Sequence, residues 1–409
     1  MSASPGSNPA TGGIAAFVAG LTYARIPSEV IARIQLLILD ALGCALFGTS
    51  LEWSRILLAT LARLDISRGS GVWGTGERLS APHAALVNGT LVHSFELDDV
   101  HRAGVLHVGA VTLPALFAVA ELKGGMSGRD FLTAAVAGYE IGPRVGLCMG
   151  PEHIGQGPAQ SGLYGALLAE AGFTGITDVF ESPYGGFCTT FSRSQDRFNL
   201  AELTAGLGER FETMNVALKF YACVGSNHTA LDAIRAIQAR RPFVPEEVDK
   251  IVVHGSQATV DHVGWPYRPH SLTAAQMNLP FCIATLLIEG DVFVEQFSAA
   301  VVADPRRMGM AGKVEVRHDP AITARGAKLR HMVRIEVHLA DGTRHDETVE
   351  APRGSERRFA SEADVVAKFA KLSRHRLSDR DADRIRDLVL GCDKLADIGE
   401  LVRALARPS

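Results

Sequence analysis

Cysteine is scarce and unpatterned: six residues, at 44, 148, 188, 223, 282 and 392, with no CxxC pair. That spacing argues against a disulfide scaffold or a zinc-type ligand set and reads as buried free thiols in a reducing compartment. An excess of either charge is also missing. The 41 Lys and Arg residues stand against 45 Asp and Glu, a formal net charge of −4. No basic stripe with interleaved aromatics occurs, so no nucleic-acid partner is expected. A local site can still be positive, which leaves small anionic substrates open. Apolar runs such as residues 41–51 fall short of the roughly 20 residues a bilayer span takes. Residues 1–13 are rich in Ser, Pro, Gly and Ala and lack the basic start and apolar run of a signal peptide. The expectation is a cytoplasmic protein without a membrane partner.

What is present is length and helix. A chain of 409 residues exceeds what one hydrophobic core usually serves, which points to two domains. Ser28 and Glu29 read as the capped start of a helix. Residues 30–47 are apolar nearly all round, with Ala41, Gly43 and Ala45 permitting close helix contact and Gly48 as a C-cap. Further helices are expected over 82–92, 109–122 (with Pro114 bending it or delaying its start) and 129–145, after a turn at 124–128. The character changes near residue 215. Residues 249–254 and 313–317 read as strands, and 332–350 as a hairpin turning at Asp341-Gly342. Helices at 227–239 and 272–288 lie among them, which makes an α+β domain. From Ser361 the pattern is helical again and is expected to rejoin the first domain. The predicted fold class is therefore mainly α: a helical domain from both chain ends, 1–215 and 360–409, and a smaller α+β domain, 216–359.

Three segments carry chemistry. Residues 92–110 crowd together His93, Glu96, Asp98, Asp99, His101, Arg102 and His107. Carboxylates and imidazoles this dense offer general acid–base catalysis; the plain alternative is a solvated loop. Their order is not a known metal-ligand spacing, so no metal is expected. Residues 219–228 place Lys219 in an apolar setting, followed by Ser226, Asn227 and His228 at a helix start. A lysine there can hold a carboxylate, and a helix N-terminus attracts anions; an exposed lysine and an ordinary cap are the alternative. Tyr139 and Arg144 lie near a helix end, where Arg144 could grip a carboxylate with both of its outer nitrogens or pair with a glutamate. Gly69–Gly74 spells GxGxxG, but no strand precedes it and no apolar helix follows, so it is a loop and no cofactor site.

The motifs taken together, residues 88–93, 96–101, 107–110, 138–140, 159–162 and 219–228, resemble the MmgE/PrpD family, over most of the chain and both domains. That family includes 2-methylcitrate dehydratase, cis-aconitate decarboxylase and iminodisuccinate epimerase. The resemblance implies a helical domain and an α+β lid with the site between them, a homodimer, and chemistry without metal or organic cofactor. Position by position, His107, Lys219 and His228 match family residues, and Asp98 and Asp99 match its acidic pair. Glu96, Val224 and Phe281 stand where decarboxylase-like members carry aspartate, histidine and tyrosine. Between 151 and 162 the chain is shorter than the family pattern, which has a helical hairpin there bringing a further histidine and lysine.

These readings combine into one chemistry: proton abstraction from a carbon beside a carboxylate on a small polycarboxylate, followed by loss of a β-hydroxyl or return of the proton to the other face. His107 and Asp99 are expected to move the proton, with His101 and Asp98 beside them. Lys219 and Arg144 are expected to hold carboxylates, with Tyr139, Ser226 and His228 around the substrate. A hydro-lyase is the first expectation, a dicarboxylate epimerase the second, and a catalytically impaired paralogue that binds a polycarboxylate or only a partner the third.

Overall fold

The fold is that of a computed structural model describing residues 10–150 and 159–406. Residues 151–158, which make up most of the shortened connection, lie outside the described residues. The chain divides into two compact units. One gathers residues from 1–94, 98–217 and 361–409, the other from 95–97 and 218–360. With 18 α-helices and only small sheets among the described residues, the protein is mainly α.

The first unit is organised around the helix Ser28–Gly48, of which 17 residues are buried. It is 21 residues long, and an 18-residue window of it has mean hydropathy 2.0, enough to cross a membrane by length and composition, but 89% of that window is buried in the protein. It is the core helix of this unit. Its termini differ from expectation. The carbonyl of Pro27 accepts from the backbone N–H of Val30 at 3.0 Å and of Ile31 at 3.1 Å, so Pro27 is the cap and Ser28 opens the helix. Gly48 is its last residue, with Thr49 as cap. The glycine is required by packing: a Cβ there would meet the Leu91 carbonyl oxygen at 2.3 Å. On the opposite flank, Gly43 packs against Phe369 of the helix Glu362–Ser373. Those two helices also share a buried ion pair, Lys368 Nζ to Asp40 Oδ1 at 2.6 Å.

The helices Ala81–Val92, Val108–Lys123 and Gly128–Met149 complete the surroundings of the acid-and-imidazole loop. Pro114 sits inside Val108–Lys123 without delaying its start. Ser127 caps the third helix, its hydroxyl accepting from the backbone N–H of Asp130. This is the ordinary way a serine satisfies a free N–H at a helix start.

The second unit holds a four-stranded sheet. Val314–His318 pairs parallel with Val248–Gly255, which pairs antiparallel with Val333–Leu339, which pairs antiparallel with Arg344–Val349. The last two form the expected hairpin, with Gly342 at φ 84 in its turn, a conformation glycine adopts without strain. Val333–Leu339 alternates buried and half-buried side chains, so one face packs on helices His228–Arg240 and the other is wetter. The helix expected over 272–288 is two, Leu272–Met277 and Leu279–Glu289. Pro280 has no N–H to continue the ladder. The Gln276 carbonyl instead accepts from Val224 N at 3.3 Å and Asn227 Nδ2 at 3.2 Å. Asn278 restarts the helix, its side chain accepting from Phe281 N.

Candidate active site

In the first unit the loop joining Ala81–Val92 to Val108–Lys123 folds back on itself. His93 caps the end of the first helix and His107 the start of the second. Between them Asp98 is fully buried. Its carboxylate takes Nδ1 of His93 at 3.0 Å on Oδ1 and 3.2 Å on Oδ2, and Nδ1 of His107 at 3.0 Å on Oδ2. Burial pushes the Asp98 carboxyl up, but the two imidazoles outweigh it and hold it well below the usual range. An ionised carboxylate only accepts, so both Nδ1 atoms carry hydrogen and each ring's acid–base position is Nε2. The carboxylate that His107 meets is therefore Asp98, not the Asp99 expected to share a proton with it.

Asp99 faces the other way. Its Oδ1 accepts from Gly109 N at 2.9 Å and its Oδ2 from the Tyr139 hydroxyl at 2.7 Å. Residue 109 is glycine for this reason, since a Cβ there would come within 2.8 Å of the Tyr139 hydroxyl and 3.0 Å of Asp99 Oδ2. Burial, then the neighbouring Asp98 charge, push the Asp99 carboxyl up to about 7. Asp99 ties down the first turn of Val108–Lys123, and so fixes where His107 stands. Tyr139 is wholly buried, and its hydroxyl is pushed well above its usual range by burial and Asp99. Both residues act from behind the imidazoles.

His101 is buried beside strand residues 216–217, which its own strand pairs with. Its Nδ1 accepts from Gly104 N at 2.9 Å, so Nε2 carries the hydrogen donated to Glu212 Oε2 at 3.1 Å. Burial raises the Glu212 carboxyl, but His101, Asn215 and Arg210 take it down to about 2. His101 is thereby a structural partner of Glu212. Arg144 is also committed. It is fully buried, donates to the carbonyls of Ala205 at 2.7 Å and Arg210 at 2.8 Å, and lies 3.6 Å from Glu140. Glu140 accepts from the N–H groups of Glu212 and Thr213. This arginine anchors residues 205–213 to helix Gly128–Met149, and the substrate contact expected of it is replaced by that task.

In the second unit Lys219 Nζ meets Glu96 Oε2 at 3.0 Å, with the lysine side chain 4% and the glutamate 22% exposed. Glu96 holds φ 52, a left-handed conformation that non-glycine residues adopt at a cost and that clusters at functional sites. Gln276 fixes its neighbour Phe95, donating to that carbonyl at 3.1 Å. Ser226 is buried and lies 3.1 Å from His262 Nδ1. Burial, then Arg330, lower the His262 imidazole, and Glu96 opposes them. His228 opens helix His228–Arg240 and donates Nε2–H to the Cys223 carbonyl at 3.1 Å, inside its own segment. Phe281 is buried against Tyr267, ring centroids 4.3 Å apart.

Two residues were given no role in the sequence reading. His93 is as closely bound to Asp98 as His107 is; its presence in the same dense segment was the available signal. His262 has no local motif and reaches Ser226 only through the fold.

Donor atoms of His93, Asp98 and His107 lie within 4.8 Å of one another, the kind of grouping that could hold a metal ion. A zinc-type ion needs its ligands about 2.0–2.2 Å away with lone pairs facing it. With no ion among them, both Nδ1 atoms lie at hydrogen-bond distance from the carboxylate.

Known proteins match this chain along its length. The profile for the MmgE/PrpD N-terminal domain matches residues 12–159, and that for the MmgE/PrpD C-terminal domain residues 221–394. The second match runs past residue 360, where the second compact unit ends. Relatives include the cis-aconitate decarboxylase-like protein oryM of Aspergillus oryzae, 29% identical, with 95% of this chain and 96% of the relative aligned. Cis-aconitate decarboxylase of Aspergillus terreus is 28% identical with 97% and 96% covered. The human cis-aconitate decarboxylase is 25% identical with 98% and 95% covered. The alignments with the two Aspergillus proteins extend over 466 and 472 positions, more than the 409 residues of this chain. Those relatives carry internal residues that this chain lacks.

Proposed function

Because the chain belongs to the MmgE/PrpD family, we propose that this lyase-type enzyme is a hydro-lyase that takes a proton from a carbon beside a carboxylate of a small polycarboxylate, without metal or organic cofactor. The observation that carries the reading is the buried Asp98 carboxylate with an imidazole on it at 3.0 Å. His107 takes the carbon-bound proton on Nε2. The imidazolium that forms is stabilised by Asp98 through Nδ1–H, and the electron pair left on carbon expels the β-hydroxyl as the alkene forms. The same imidazolium can return its proton to the departing oxygen, so that water leaves. Charge grows on the substrate carboxylate during abstraction, and a cation stabilises it. Lys219 is the residue we assign to hold a carboxylate.

The names of the relatives favour a second reading, decarboxylation. There the protonated His107 supplies the proton that replaces carbon dioxide. Glu96, Val224 and Phe281 weigh against it, because they differ from the decarboxylase-like pattern. Epimerisation needs bases on two faces of the substrate. His93 and His107 lie side by side on one carboxylate, with ring centroids 4.1 Å apart, and supply one face. The homodimer and the cytoplasmic location belong to the same proposal and are tested by light scattering and cell fractionation.

The test is a panel of 2-methylcitrate, citrate, cis-aconitate and iminodisuccinate, followed by alkene absorbance and carbon dioxide release. Alkene from a hydroxy acid is the expected product. His107→Ala should cut kcat by about 10²–10⁴-fold, the usual contribution of a general acid–base group, with KM nearly unchanged. Full turnover in that variant removes the assignment. Thermal stabilisation by these acids without turnover would instead identify a binding paralogue, the outcome the shortened 151–162 connection favours.

A further inference from the structure

Two of the six thiols face each other in the first unit. The Sγ atoms of Cys148 and Cys188 lie 3.7 Å apart, 40 positions distant in sequence, and both residues are buried. Cys148 is the penultimate residue of helix Gly128–Met149, and Cys188 is the second of the short helix Phe187–Ser192. Ile14, Met149 and Leu203 join them in a small apolar core. The backbone of Cys148 is held from outside its helix, since Asn199 N donates to its carbonyl at 2.8 Å. The helix carrying Cys188 follows a largely exposed stretch of turns, residues 171–186. A disulfide needs its sulfurs about 2.05 Å apart, so the pair has to close by roughly 1.7 Å. The six-residue helix, with only Cys188 and Ser192 buried, is the element free to make that shift.

The other four thiols are placed differently. Cys44 Sγ lies 3.9 Å from Asp40 Oδ2, and Cys392 Sγ 3.9 Å from the Gly128 carbonyl oxygen. Cys223 and Cys282 act on each other. However, Cys282 sits on helix Leu279–Glu289, nine of whose 11 residues are buried, and accepts from Asn227 Nδ2 at 3.4 Å. Burial, then the neighbouring Cys188, push the Cys148 thiol up to about 12. Burial also raises the Cys188 thiol, but the hydrogen bond from Cys148 opposes it. Cys188 is therefore the sulfur that ionises first. Thiolate is scarce at neutral pH, so the pair answers to sustained oxidant and not to a passing trace.

We propose that Cys148 and Cys188 are a reversible oxidation site, at which a peroxide closes a disulfide between helices Gly128–Met149 and Phe187–Ser192. The Cys188 thiolate attacks one peroxide oxygen, the O–O bond breaks and hydroxide leaves. The Cys148 sulfur then attacks the sulfur of the sulfenic acid, the S–O bond breaks, and water leaves with the Cys148 proton. Two thiols are oxidised to one disulfide, and hydrogen peroxide is reduced to two waters. A dithiol reverses the change by thiol–disulfide exchange. The new bond closes residues 148–188 into a loop. Helix Ala159–Glu170 lies in that loop, and its Leu163 and Leu167 pack against Ala81, Ala85 and Ala118. Those alanines belong to the helices that lead into and out of the imidazole loop, so oxidation ties down their support. Disulfides that form in a reducing compartment are usually transient and redox-sensing. The inference does not rest on the lyase reading.

The experiment treats the reduced protein with hydrogen peroxide and maps the products by mass spectrometry. The thiol count in denaturant should fall from six to four, with residues 148 and 188 in one cross-linked peptide, and dithiothreitol should restore all six. The rate should rise by about tenfold per pH unit between about pH 7 and about pH 9, because the thiolate is the reactive form. The oxidised protein should melt about 5 °C higher, since the closed loop restricts the unfolded chain. Cys188→Ser should lose both the cross-link and the gain in melting temperature. Six thiols after treatment, sulfinic acids in place of a disulfide, or a disulfide mapped to another pair instead overturns the proposal. If Cys188→Ser does not fold, the mapping in wild type decides it.

Discussion

Two adjacent carboxylates, Asp98 and Asp99, are pushed in opposite directions, and the cause is where each side chain points. Asp98 meets two imidazoles and stays ionised. Asp99 meets a hydroxyl, a backbone N–H and the Asp98 charge, and is pushed up to about 7. For Asp99 the folded value lies above the unfolded one. Between about pH 4 and about pH 7 the native state therefore binds a proton that the unfolded chain has lost, and stability falls as pH rises through that window. Asp99→Asn has no such proton. The stability of wild type relative to Asp99→Asn should decline from about pH 4 to about pH 7 and level off above, measured by urea unfolding at a series of pH values. A flat difference across that range would mean that Asp99 is ionised in the native state. The sequence made the cluster legible by density alone. It could not tell which of two neighbouring aspartates faces His107, because a turn of the backbone decides that. Nor could it assign Arg144, whose partners at Ala205 and Arg210 are about 60 residues away in sequence; an arginine suited to a substrate carboxylate is equally suited to a pair of backbone carbonyls.

At the scale of helices, the buried pair Asp40–Lys368 joins Ser28–Gly48 to Glu362–Ser373 where apolar contacts surround it. Removing one partner leaves an uncompensated charge in the core, at a cost of about 3–5 kcal/mol, whereas replacing both by apolar groups of similar size is often close to neutral. Lys368→Met should therefore destabilise strongly, and Asp40→Leu with Lys368→Met much less, as read by denaturant unfolding. Equal losses in the single and double variants would show that the pair contributes its attraction and not only its mutual neutralisation. Strands and hairpin were legible because period-two alternation and Asp-Gly are local signals, and Val248–Gly255, Val333–Leu339 and Arg344–Val349 sit where they point. The helix ends were less so. Gly48 looked like a terminator and is a packing glycine, and the continuous apolar run over 272–288 hid a break set by Pro280 and Asn278.

For the molecule as a whole, the His93–Asp98–His107 grouping makes metal dependence a sharp question. Both Nδ1 atoms are spent on the carboxylate, so dialysis against a strong chelator should leave turnover within about twofold; a loss restored by zinc or manganese would require an ion among those side chains. The family resemblance was legible across the chain because its motifs are spread from residue 88 to residue 228, and the profiles match both halves. The make-up of the compact units was not, since residues 95–97 leave one unit for the other within a single loop.

The order in which the chain is made bears on the core helix Ser28–Gly48. Its partner Glu362–Ser373 lies on the far side of the entire second unit in sequence. A ribosome therefore completes the sheet-bearing unit while a 21-residue helix apolar enough for a bilayer still waits for one of its covering helices. The nascent protein spends most of its synthesis with a greasy segment only partly clothed. Until the last helices arrive, that segment depends on shielding that the finished fold does not need.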